Sequence, residues 1–269
     1  LLLGGRYDTL RYDERAFFTG EKWADGEKSN AFTGRAGLVY LGEGGVAPFL
    51  SYSESYEPTE GRDREGRRFT PTTGTQIEAG VRWQPPGADT LVSAAVYQLT
   101  RDNLTVTDPE DPNYAIQHGR VRSRGAELEA RTRVGRNAHL IAAYAYTDAR
   151  TVRASPLQPA QEGARSIAVP YHQVSLWADY DFGAFGLPGL KVGAGVRHMG
   201  EARGMAHGTP VSVPSFTLFD AMVGYHTGPW RFALNLSNLA DKTYIGSCAM
   251  YGCFYGEPRK LIGTATYRW

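Results

Sequence analysis

The only cysteines of the chain, Cys248 and Cys253, lie close together in Ser247-Cys248-Ala249-Met250-Tyr251-Gly252-Cys253-Phe254-Tyr255-Gly256. Thiolates at this spacing can ligate a metal, but four ligands are usual and no histidine lies in the segment. In an oxidising surface compartment the expected state is a disulfide. Its loop is short, so chain entropy contributes about 2–3 kcal/mol at most. Its use would be to hold Met250, Tyr251, Phe254 and Tyr255 in a fixed arrangement.

Other candidate chemistry is thin. The histidines are dispersed (His118, His139, His172, His198, His207, His226), without a His-Glu-x-x-His spacing or a Gly-x-Ser-x-Gly elbow. Catalysis therefore has no sequence support, and each histidine is expected at an interface or in a polar interior. His207, near Met205 in a long loop, is the one to follow. Gly42-Glu43-Gly44-Gly45 joins two strands with no helix after it, which makes it a turn and not a phosphate cradle. Arg120, Arg122 and Arg124 alternate on one strand face, and Arg131 and Arg133 fall on the other. Such arginines either pair with carboxylates in a polar lumen or bind lipid phosphates near the surface.

The elements that carry these residues alternate with period two. Ile77, Ala79, Val81 and Trp83 share a face opposite Gln76, Glu78, Arg82 and Gln84. Val174, Leu176, Ala178 and Tyr180 oppose Gln173, Ser175, Asp179 and Asp181. Ala126, Leu128 and Ala130 oppose Glu127, Glu129, Arg131 and Arg133. About twelve strands follow from these cues: 1–10, 32–41, 46–56, 74–84, 89–106, 114–134, 137–149, 170–182, 189–200, 214–226, 230–237 and 258–269. Several exceed the usual length of about five or six residues.

One apolar and one polar face also describe a soluble sandwich. The loops discriminate. Short turns rich in Gly and Pro (42–45, 85–87, 135–137, 188–189, 228–229) alternate with long polar loops at about 11–31, 57–73, 150–169, 201–213 and 238–257. The shorter break near 107–113 is marked by Asp108-Pro109-Glu110-Asp111-Pro112. Long loops gathered at one end are the pattern of an antiparallel transmembrane β-barrel with short periplasmic turns. Aromatics near strand ends (Tyr7, Tyr40, Trp83, Tyr225, Trp230) suit the two membrane interfaces.

Composition agrees. The 269 residues carry a net charge of +1, with 32 glycines and 16 tyrosines, and mean hydropathy is -0.39. There is no basic excess of the kind a nucleic-acid binder shows. No apolar stretch is long enough for a helical span, whereas barrel strands dilute that signal. The opening Leu1-Leu2-Leu3-Gly4-Gly5-Arg6-Tyr7-Asp8 reads as a strand without a leader, so the chain is expected to begin partway through a larger protein.

The stretch Trp230-Arg231-Phe232-Ala233-Leu234-Asn235-Leu236-Ser237-Asn238-Leu239-Ala240-Asp241-Lys242-Thr243-Tyr244 resembles the penultimate-strand signature of TonB-dependent outer-membrane receptors. Cys248 to Arg259, followed by Thr264-Ala265-Thr266-Tyr267-Arg268-Trp269, is similar to the ferrichrome and hydroxamate-siderophore branch. Ser51-Tyr52-Ser53-Glu54-Ser55-Tyr56-Glu57-Pro58, Val121-Arg122-Ser123-Arg124-Gly125-Ala126-Glu127-Leu128-Glu129-Ala130 and Leu2-Leu3-Gly4-Gly5-Arg6-Tyr7-Asp8 extend the resemblance along the chain.

The resemblance implies a 22-stranded barrel filled by an N-terminal plug that carries the segment contacting TonB. Residues 1–269 then correspond to the C-terminal portion of the barrel, without the plug and the first barrel strands. The implied function is binding of a ferric siderophore, of hydroxamate type, at the extracellular mouth for TonB-energised uptake. Its partners are the ferric siderophore, TonB and outer-membrane lipid, with no covalent cofactor, no metal site, no nucleic acid and no catalysis. Alternatives are a passive diffusion channel or another TonB-dependent substrate such as cobalamin or haem. The family's ligand cavity is lined by aromatics near the mouth, some beside the last-loop cysteines. That carries over to Tyr251, Phe254 and Tyr255, with Met250 behind them. Their other role would be to pack the disulfide loop. Ala249 stands where the ferrichrome branch often has an aromatic, so the ligand need not be ferrichrome.

Overall fold

The computed structural model describes residues 1–15, 22–111, 113–249 and 252–269. Its strands are, in chain order, β1 (Leu2–Arg15), β2 (Lys22–Val39), β3 (Val46–Glu57), β4 (Thr72–Trp83), β5 (Thr90–Thr107) and β6 (Ala115–Val134). Then come β7 (Ala138–Arg153), β8 (His172–Asp181), β9 (Leu190–Met199), β10 (Ala202–Ala206) and β11 (Thr209–Val213). The chain ends with β12 (Phe216–Thr227), β13 (Trp230–Ser237), β14 (Ile245–Ala249), β15 (Gly252–Tyr255) and β16 (Lys260–Tyr267). Twelve of these form one antiparallel sheet in the order β1 to β9, β12, β13, β16. The pairs β10–β11 and β14–β15 are separate hairpins inserted between sheet strands.

Register explains why this sequence forms this sheet. Leu50 lies opposite Ala79, Ala79 opposite Val96, and Val96 opposite Ala126. Farther along, Leu176 lies opposite Val196 and Val196 opposite Phe219. Apolar residues thus meet apolar residues across every ladder, and a slip of one position would turn the whole row over. The other face carries Glu78, Glu127, Glu129, Asp179, Lys191 and Arg197.

No second layer covers the apolar face. Leu50 is 53% exposed, Val96 58% and Leu261 61%, although all three lie mid-sheet or beside a paired neighbour. Exposed apolar rows of this extent are tolerated in hydrocarbon and not in water. The soluble-sandwich reading, in which these rows face each other, is therefore excluded.

The loop alternation is as expected. The connections β2–β3, β4–β5, β6–β7, β8–β9 and β12–β13 leave one end of the sheet and the others the opposite end, where β3–β4, β7–β8, β9–β12 and β13–β16 are long while β1–β2 and β5–β6 are not. Aromatic belts mark both interfaces. At the short-turn end Trp230 stacks on Phe232 at 5.7 Å and meets Tyr267 edge-on at 5.0 Å. At the long-loop end Tyr146 stacks on Tyr171 at 5.9 Å and Tyr144 on His172 at 6.1 Å. From Tyr180 to His172 the outward row of β8 runs about 26 Å along the strand. With a tilt of about 40°, it covers about 20 Å of membrane depth, close to the apolar band of about 25 Å in known barrels.

Three expected loops need correction. Of the expected loop 11–31, the described part is strand: β1 runs to Arg15 and β2 starts at Lys22. No glycine or proline breaks Arg6 to Arg15, and main-chain pairing continues into water whatever the side chains. The expected loops 201–213 and 238–257 also contain ordered hairpins, because each folds back on itself and packs on the other.

Candidate functional site

The site is built from those two hairpins at the long-loop end. β14 and β15 pair so that Cys248 lies directly opposite Cys253, and the two form a disulfide. Cys248 is 1% exposed and packs with Ala202 and Val213, flanked by Val211 and Ile245. The second hairpin thus rests on the first. Contact is close because Gly204 has no side chain: a Cβ there would stand 2.7 Å from Cys248 Cβ.

Of the candidate ligand residues, Phe254 and Tyr255 stand on β15 and are 53% and 78% exposed. Met250 and Tyr251 lie outside the described residues. His207 sits at the β10–β11 turn in the left-handed conformation (φ 49°). Its Nε2 comes within 3.9 Å of the space a Gly252 side chain would fill, so it abuts the tip of the cysteine hairpin. Reducing the disulfide removes only a small entropic constraint, about 2 kcal/mol. The sheet should survive reduction, seen as a heat-resistant band in SDS. Proteolysis within 244–257 should accelerate, and an unchanged rate would show that Cys248 packing alone holds the hairpin.

Beneath the aromatics lies a set of residues to which the sequence assigned no role. Arg197 and Asp220, on the interior face of β9 and β12, form a two-point ion pair at 2.6 and 2.9 Å. Asp220 also accepts from the main-chain N–H of Asn238 at 3.0 Å. Asn238, 2% exposed, anchors the turn after β13. Its side-chain amide donates to the carbonyls of Lys242 and Glu257, and its Oδ1 accepts from the Lys242 N–H. Tyr244 packs on Phe216 with ring centroids 4.2 Å apart, and bare Gly256 lets that ring lie against the main chain. The Lys260 ammonium donates to Glu257 at 2.8 Å and holds its carboxyl below the usual range. An Asn directly after a strand, a residue type that tolerates the left-handed conformation it adopts here (φ 52°), was the available signal at Asn238.

Three of the remaining histidines have identified partners at the interface or in the interior. His139 bonds Asp179 at 2.9 Å on the interior face, where Lys191 also reaches Asp179 at 2.7 Å. His172 bonds Tyr144 in the outer belt, and His198 bonds Thr217. Among the described residues, no group of three His, Cys, Asp or Glu is placed to hold a metal ion. Chemically, the mouth presents exposed aromatic faces above paired charges. Such a surface suits a rounded, partly apolar ligand with oxygen acceptors.

Comparison with known proteins agrees with this geometry. Residues 1–239 match the family described as TonB dependent receptor-like, beta-barrel. The ferrichrome outer membrane transporter/phage receptor of Escherichia coli (strain K12) is 36% identical over 275 residues, covering 99% of this chain and 36% of its own length. The ferrioxamine B receptor of Salmonella typhimurium (strain LT2) is 37% identical over 272 residues, covering 98% of this chain and 38% of its own. Among solved structures, the siderophore receptor PiuA from Acinetobacter baumannii superposes with a TM-score of 0.81 at 22% identity. That alignment covers 98% of this chain and 40% of that one. The chain thus spans at most about two fifths of the length of these relatives. With one apolar and one polar face, belts at both ends and a match over residues 1–239, the chain belongs to the TonB-dependent receptor β-barrel family of the outer membrane.

Proposed function

We propose that the chain supplies the twelve C-terminal strands of a larger plugged barrel that takes up a ferric siderophore of hydroxamate type. The supporting observation is the disulfide-closed hairpin that presents Phe254 and Tyr255 at the mouth, seated on the β10–β11 hairpin. β1 and β16 are the two edges of the sheet, with no ladder between them among the described residues. Unpaired edges of this length are rare in a finished barrel, and further strands would cover them. The relatives' names point to hydroxamate ligands. In this reading TonB and the plug act through residues outside this chain, and no side chain here is a catalyst.

The iron stays within its chelator. The protein recognises the outer surface of the complex through aromatic contact, and the Tyr255 hydroxyl adds a donor. Each such contact contributes about 1 kcal/mol beyond its burial. Phe254→Ala combined with Tyr255→Ala should therefore weaken binding of a ferric hydroxamate by about ten- to thirtyfold. Quenching of the whole receptor's intrinsic fluorescence by ferrichrome and ferrioxamine B measures it. Absence of saturable quenching by any ferric hydroxamate removes this ligand class. Undiminished affinity in the double variant removes these two residues from the site.

A further inference from the structure

We propose that the membrane-facing side of β6 and β7, at its outer rim, binds the phosphate groups of the outer-leaflet glycolipid. Six arginines meet there. Arg120, Arg122 and Arg124 follow one another along β6, Arg150 and Arg153 face them from β7, and Arg165 continues the row in the loop after β7. Their side is set by register: Arg124 is two positions from Ala126, which pairs with Tyr146 of the outer belt. Arg150 donates to the Tyr171 hydroxyl at 3.1 Å, and the Arg165 guanidinium lies 3.6 Å over the Tyr171 ring. The cationic row therefore stands directly above the aromatic belt, at the level where lipid headgroups begin.

The charges there do not balance. Arg122 lies directly opposite Arg150, Arg120 directly opposite Arg153, and Arg165 bridges Arg150 from its other side. Like charges placed across a ladder repel. Among the described residues, two carboxylates answer six guanidiniums: Asp102 pairs with Arg120 and Asp148 with Arg150. Arg124 donates to the Gln98 amide, and Arg165 donates to the carbonyls of Val169 and Glu201. Among the described residues, the side chains of Arg122 and Arg153 have no partner. On the interior face, by contrast, Arg133 pairs with Asp89 and Arg197 with Asp220. A phosphate between the opposed arginines relieves the repulsion, because the planar guanidinium matches phosphate oxygens two at a time. Attachment to a glycolipid follows from the site's place on the hydrocarbon side of the sheet, just above the belt.

The test uses the whole receptor in detergent micelles and the variant Arg122→Gln with Arg153→Gln. These side chains bond to no other described residue, so the variant should unfold no earlier than the parent when glycolipid is absent. Adding diphosphoryl lipid A should raise the parent's unfolding temperature, and the variant should need at least tenfold more lipid for the same shift. Dephosphorylated lipid A and inorganic phosphate at the same concentration should each leave the parent unshifted. Equal shifts for parent and variant overturn the proposal. So does an equal shift with dephosphorylated lipid A, which would mean acyl-chain binding only. A shift with inorganic phosphate alone overturns the glycolipid as its source. Replacing the interior Arg131 and Arg133 with Gln should leave the lipid response unchanged.

Discussion

Asn238→Ala should loosen the last outer loop by about 3 kcal/mol while leaving the sheet intact. The substitution removes three buried side-chain hydrogen bonds at 2.9, 3.2 and 2.9 Å. It strands the Lys242 N–H and two carbonyls, at about 1 kcal/mol or more each. The main chain at Asn238 is left-handed (φ 52°), a conformation Asn tolerates better than Ala. Asn238→Gly should therefore recover part of the backbone cost but none of the hydrogen bonds, placing it between Ala and the parent. Hydrogen exchange at the Lys242 amide and protease cleavage within 239–257 measure the loss. The loop also supports the proposed site: the Asn238 main-chain N–H donates to Asp220, which accepts from Arg197. A Lys242 amide as protected in the alanine variant as in the parent would show that Asn238 is not the anchor.

The second large effect is steric. At Gly256 an added Cβ would stand 2.0 Å from the Cζ of Tyr244. Either that ring leaves Phe216 or the strand carrying Tyr255 lifts, so Gly256→Ala should cost about 2–3 kcal/mol, the usual range for overpacking. Affinity for a ferric hydroxamate should fall with it, because Tyr255 is the adjacent residue. Tyr244→Ala in the same chain should cancel most of the penalty, leaving only the loss of the Phe216–Tyr244 contact. A double-mutant cycle on unfolding in urea reads this as a coupling of about 2 kcal/mol. Strictly additive effects would show that Gly256 is needed for some reason other than room for the ring.

Some of the candidate site was readable in advance. The cysteine pair marks its own loop, and Phe254 and Tyr255 are conspicuous beside it. Asn238, Tyr244 and Gly256 belong to the stretches that resemble the receptor family, yet they show no chemistry of their own. Their roles are contacts: with Lys242 and Glu257, with Phe216, and with one another. The arginines of β6 were visible as an alternating set. That Arg120 confronts Arg153 could not be read, since the pairing shifts register between Arg120 and Val121.

By itself the sequence determined the twelve strands, which side chains share a face, and at which end the long loops gather. Those properties are local: side-chain alternation needs only extended chain geometry, and turns are set by a few adjacent Gly and Pro residues. Only the tertiary structure decided that two apparent loops are hairpins stacked through Gly204 and Cys248, more than forty positions apart. It alone decided that one rim of the sheet gathers arginines in excess of acids. Both depend on which residues pair across strands, where a shift of one position rearranges every neighbour.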